Sequence, residues 1–71
     1  MKVRIEYCGA CGYERRARML ATAIRAAKGV DSELLAASGG MFEVYRDGDL
    51  IFSKRASGRF PEEPEILDAL D

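Results

Sequence analysis

The chain has 71 residues, with 11 Lys and Arg against 12 Asp and Glu, and it contains neither His nor Trp. A net charge of −1 argues against a general nucleic-acid coat, and a chain this short buries only about 60% of its unfolded surface, so it forms one small domain with a thin core, spanning residues 1–71. Without His, neither a Ser-His-Asp nor a Cys-His mechanism fits in the chain, and two cysteines do not complete a closed zinc site, which normally takes four Cys or His ligands.

Residues 1–7 alternate strictly, with Met1, Val3, Ile5 and Tyr7 on one face and Lys2, Arg4 and Glu6 on the other. This period of two predicts a strand with one covered face. A signal peptide needs an unbroken apolar run there, and no window approaches a membrane span, so the expected location is the cytoplasm.

The strand leads into Cys8-Gly9-Ala10-Cys11-Gly12. A C-x-x-C between a strand and a helix reads as a thioredoxin-like redox pair. A disulfide there closes a very short loop and constrains the unfolded chain little, which suits exchange better than stapling. Thiolate is the attacking species, and the partial positive charge of a helix N-terminus stabilises it. Gly9 and Ala10 are small and leave both sulfurs open. If the helix starts near Gly12, Arg15 lies one turn after Cys11 and is a candidate thiolate stabiliser. The competing reading of Arg15 is a solvated surface charge.

Residues 13–28 change to helical period. Tyr13, Ala17, Leu20, Ile24 and Ala27 form one stripe, the arginines lie off it, and Gly29 is the C-cap candidate. Residues 33–37 fit a short strand or a helical turn. A crossover after a strand and a helix favours a parallel strand. Ser38-Gly39-Gly40 breaks the chain. Residues 41–55 predict a hairpin turning on Asp47-Gly48, pairing Val44 with Ile51 and Tyr45 with Leu50. Residues 56–60 are expected as loop, and Pro61 to Asp71 as a short acidic helix with Ile66, Leu67 and Leu70 on its apolar face. The order is β-α-β-β-β-α. Charge is divided along the chain, with a net +5 over residues 1–30 and −6 over residues 31–71.

Val3 to Tyr13 (VRIEYCGACGY) resembles the start of the selenoprotein W-like proteins, the Rdx family related to selenoproteins T and H. Gly40-Met41-Phe42-Glu43-Val44 is similar to the family's Gly-x-Phe-Glu-Val. Asp47 to Lys54 is similar to its Ile-x-Ser-Lys hairpin, and Arg59-Phe60-Pro61 to its Arg-Phe-Pro segment. The resemblance implies an α+β, two-layer, thioredoxin-like fold with both helices on one face of a four-stranded mixed sheet. It also implies a redox role. Selenocysteine-containing members carry selenium at the position of Cys11, which points to Cys11 as the attacking sulfur, whereas thioredoxins attack with the first cysteine. No proline precedes Pro61, so Gly39 and Gly40 are expected where thioredoxins place a proline facing the cysteines, and with Tyr13 they are assigned to the partner surface.

Three readings follow. The first is a thiol–disulfide redox protein in which Cys8 and Cys11 exchange with a partner protein or with glutathione as co-substrate, using no bound cofactor or metal. The second is a redox sensor without turnover that binds a partner, or a second copy, through an open sheet face carrying Tyr45, Leu50 and Phe52. The third is a metal site shared between two chains, each giving two thiolates. No nucleic-acid or membrane partner is expected.

Overall fold

Strand β1 (Val3–Cys8) turns Val3, Ile5 and Tyr7 into the core and Arg4 and Glu6 away from it, as the alternation requires. All of residues 1–71 are described in the computed structural model of the chain. After β1 come α1 (Glu14–Lys28), β2 (Ser32–Ala37), β3 (Phe42–Arg46), β4 (Asp49–Ser53), α2 (Lys54–Ser57) and α3 (Glu63–Ala69). The sheet order is β2-β1-β3-β4, with β1 parallel to β2 and the other pairs antiparallel. Residues 33–37 therefore resolve as the parallel strand that a crossover favours.

A single apolar cluster joins Val3, Ile5, Tyr7, Phe42, Val44 and Phe52 of the sheet to Ala17, Leu20 and Ile24 of α1 and Ile66 and Leu70 at α3. Helices α1 and α3 thus cover one face of a four-stranded mixed sheet, the two-layer α+β arrangement expected. The stripe on α1 is buried in its middle only, since Tyr13 is half-buried and Ala27 exposed. Gly29 ends α1 in a left-handed conformation, its N–H donating to the Arg25 carbonyl at 2.9 Å.

The hairpin turns on Asp47 (φ 51°) and Gly48 (φ 87°), both in the left-handed region that a two-residue turn between twisted strands requires. Its register differs from the expected one. Arg46 pairs with Asp49 and Tyr45 with Leu50, but Val44 pairs with Phe52, so Ile51 is an extra residue in a β-bulge. Regular pairing would put Phe52 beside Glu43 on the open face. The bulge reverses the side-chain alternation, and Phe52 turns into the core. The apolar patch expected on the open face accordingly loses Phe52 and keeps Leu50, which is 51% exposed, next to Tyr45.

Residues 54–57 form a helical turn where the end of the hairpin and the start of a loop were expected. The Ser53 hydroxyl accepts the Ala56 N–H at 3.3 Å, and the Gly58 N–H closes the turn on the Lys54 carbonyl at 2.7 Å. Helix α3 is shorter than the expected 61–71. It opens on a reciprocal capping box between Glu62 and Glu65, with Pro64 in its first turn.

Candidate functional site

Cys8 is the last residue of β1, and the chain then turns through Gly9, Ala10, Cys11 and Gly12 before α1. The turn is held by the Gly12 N–H on the Gly9 carbonyl (3.1 Å) and the Tyr13 N–H on the Cys8 carbonyl (3.3 Å). Gly12 sits at φ 78°, a backbone conformation that disfavours any residue with a Cβ. The two cysteines are joined as a disulfide with their Cα atoms 5.3 Å apart.

The two sulfurs have unequal surroundings. Cys8 is 1% exposed and Cys11 is exposed, together with Gly9, Ala10 and Gly12. Cys8 is buried although it is not part of the apolar cluster. Its backbone N–H donates to the Met41 carbonyl at 2.7 Å, and the Gly9 N–H donates to the Ala37 carbonyl at 3.1 Å. These two bonds bring the Ser38-Gly39-Gly40 turn beside the cysteine loop, with Gly39 at φ 79° and Gly40 at φ 72°. The Cys11 N–H donates to the Cys8 sulfur at 3.2 Å.

Helix α1 starts at Glu14, so Cys11 belongs to the turn and not to the helix. The one-turn relation that would stack Arg15 over Cys11 therefore does not hold. Arg15 is exposed and borders a shallow hollow with Glu14, Arg18, Met19 and Glu63. Tyr13, by contrast, belongs to an aromatic group at the cysteine end of the fold. It meets Phe60 edge-on with ring centroids 4.8 Å apart, and Phe60 meets Phe42 at 5.5 Å. Two cations lie over these rings. The Arg16 guanidinium is 4.0 Å from the Phe60 centroid, and the Lys54 ammonium is 5.2 Å from Phe60 and 5.6 Å from Tyr13. Sequence reasoning did not single out Arg16, Lys54 or Phe60 as site residues. They come from three distant segments, and the only sequence signals were the Ser-Lys and Arg-Phe-Pro matches.

No group of three or more His, Cys, Asp or Glu side chains is placed to hold a metal ion, and no helix is long and apolar enough to cross a membrane. The Rdx family profile matches residues 2–71. The chain is 34% identical over 71 residues to migration and invasion enhancer 1 of Bos taurus, covering 99% of this chain and 62% of that protein. It is 36% identical over 67 residues to the Mus musculus protein of the same name, covering 93% and 58%. The chain thus spans about three-fifths of the length of these relatives. Among solved structures, a selenoprotein W-related protein from Vibrio cholerae superposes with a TM-score of 0.92 at 24% identity, covering 97% of this chain and 90% of that one. A Bordetella parapertussis protein superposes at 0.93 with 24% identity, covering 97% and 91%. These two show the shared fold.

Proposed function

The chain belongs to the Rdx family, and from that premise we propose that it is a thiol–disulfide exchange protein in which Cys11 meets the partner and Cys8 resolves. The observation that carries this reading is the asymmetry of the pair, Cys8 1% exposed and Cys11 exposed. In the reduced chain the Cys11 thiolate attacks one sulfur of a partner disulfide. The partner's S–S bond breaks, and its other sulfur leaves as a thiolate that takes up a proton. Cys8, having given up its proton, then attacks the Cys11 sulfur of the mixed disulfide. The Cys8–Cys11 bond forms, and the partner leaves as a dithiol. The reverse sequence oxidises a partner dithiol and reduces the chain. Partner proteins and glutathione both supply this chemistry, and the cytoplasm, with its thiol buffer, is the compartment proposed for the cycle.

The test is trapping. Reduced Cys8→Ser and Cys11→Ser chains are each mixed with glutathione disulfide and followed by mass spectrometry. Cys8→Ser accumulates a lasting mixed disulfide on Cys11, and Cys11→Ser reacts far more slowly because its remaining thiol is shielded. Equal rates in the two variants, or no adduct in either, would overturn the assignment.

A further inference from the structure

We infer that the cysteine end of the fold carries a docking site for an acidic protein segment, built from Arg16 and Lys54 over Phe60 and Tyr13 together with Arg55, which follows Lys54 in the chain. The inference rests on the exchange reading and names its partner class.

The fold sorts charge in a way that the chain order conceals. Three segments meet at the cysteine end: residues 8–13, 37–41 and 53–60. None of them contains Asp or Glu, and of the acidic residues near their ends Glu14 is paired with Arg18 and Glu43 accepts the Ser53 hydroxyl at 3.2 Å. At the other end of the sheet lie Asp31 and Glu33, at the start of β2, and Asp47 and Asp49, at the hairpin turn. The basic residues near the cysteines are also left unneutralised. Arg18 is paired with Glu14 and Arg59 with Glu65, but Arg16, Lys54 and Arg55 form no ion pair. Glu63 is the acidic residue that shares a hollow with Arg16 and Phe60, and it too forms no ion pair.

Aromatic rings hold two of these cations in place. A ring face attracts a cation without consuming its charge or its hydrogen-bond donors. Arg16, held at 4.0 Å from the Phe60 centroid, and Lys54, at 5.2 Å, therefore stay available to an incoming carboxylate. They come from different elements, α1 and α2, so the cations are spread over a surface with Tyr13 and Phe60 between them. A polypeptide with Asp or Glu flanking its disulfide fits such a surface, and cationic surfaces raise the encounter rates of such partners by about 10-fold or more at low salt.

The experiment uses the whole reduced chain and three disulfide peptides of equal length, flanked by Asp and Glu, by Ser, or by Lys. Exchange is followed at low and high salt for the natural chain, a Lys54→Gln/Arg55→Gln variant, and a Lys2→Gln control at the far end of the sheet. The acidic peptide should exchange about tenfold faster than the Lys peptide at low salt, with the preference shrinking as salt screens it. The double variant should lose most of that preference, and the control should keep it. Equal rates for the three peptides overturn the docking site and leave the exchange reading standing. If no peptide exchanges, the exchange reading fails. Fluorescence anisotropy of a cysteine-free acidic peptide then decides the docking site alone, with binding that the double variant loses supporting it and absent binding overturning it. If only glutathione disulfide depends on Lys54 and Arg55, the site serves a small anion and the protein-segment inference is overturned.

Discussion

Reducing the Cys8–Cys11 bond should lower the unfolding free energy by about 2 kcal/mol and no more. The two cysteines are three positions apart, so the bond closes a loop of four residues. In the chain-entropy treatment, a loop of that size removes about 6 cal/mol/K from the unfolded ensemble, or about 1.9 kcal/mol at 25 °C. That is a modest share of the roughly 5–15 kcal/mol by which small domains are stable, and reduction leaves the fold standing. The same quantity appears in the redox equilibrium. For a two-electron couple 30 mV corresponds to about 1.4 kcal/mol, so the native pair should have a reduction potential about 40 mV below that of the urea-unfolded chain. Two assays read one number: urea unfolding with and without a phosphine reductant, and thiol equilibration in glutathione buffers with and without urea. A stability difference above about 4 kcal/mol would mark the bond as a structural staple and refute the argument that it is built for exchange. A difference near zero, or of opposite sign, would show that the native frame works against the bond and would refute the loop-entropy argument.

Other consequences follow from individual residues. Ile24→Ala empties a fully buried position at the centre of the apolar cluster and should cost about 2–5 kcal/mol in urea unfolding, and a loss under 1 kcal/mol would mean that α1 packs elsewhere. Gly12→Ala places a Cβ in open space at φ 78°, so its cost is conformational alone, about 1–2 kcal/mol, whereas Gly9→Ala makes only an ordinary contact with Ala36 and should be close to neutral. Comparing the two variants by thermal unfolding tests whether backbone conformation or space governs the cysteine loop, and equal costs would refute the former. The Arg59 guanidinium, with help from the Glu62 N–H, holds the Glu65 carboxyl down to about 2 from an ordinary 4.5. The depressed value means that this contribution is present above the unfolded pKa and is lost as pH falls from about 4.5 through about 2. Carboxyl NMR titration should show it, Arg59→Gln should raise the midpoint, and an unchanged midpoint would refute the pairing.

Much of this arrangement was legible along the chain because it rests on local signals. Strict alternation exposed β1, the 3-4 spacing of Ala17, Leu20 and Ile24 exposed the buried side of α1, and Asp47-Gly48 exposed the hairpin turn. The bulge at Ile51 was not legible. Both Ile51 and Phe52 are apolar, and only the space under the helices decides which of them turns inward. The single turn of α2 was hidden for a different reason, since four residues carry no period and its start rests on one Ser53 hydroxyl. At the site, the cysteine motif announced itself, but the carbonyls of Met41 and Ala37, which accept from the backbone of Cys8 and Gly9, are partners that no local spacing reveals. The charge pattern misled in a similar way. Reading it as a basic first half and an acidic second half missed that Lys54 and Arg55, from the acidic half, return to the cysteine end while Asp31, Asp47 and Asp49 go to the other.

Strand β1 lies inside the sheet, although it is made before the two strands that flank it. On the ribosome the four-residue ring at Cys8 and Cys11 can close as soon as both residues have emerged, because it needs nothing beyond its own neighbours. The amide of Cys8 waits for the Met41 carbonyl, and that of Gly9 for Ala37. During that interval the nascent chain lacks the sheet partners that later hold the backbone of Cys8 and Gly9. The distinction between an outer and an inner sulfur is acquired only when the second half of the sequence arrives to fold over the first.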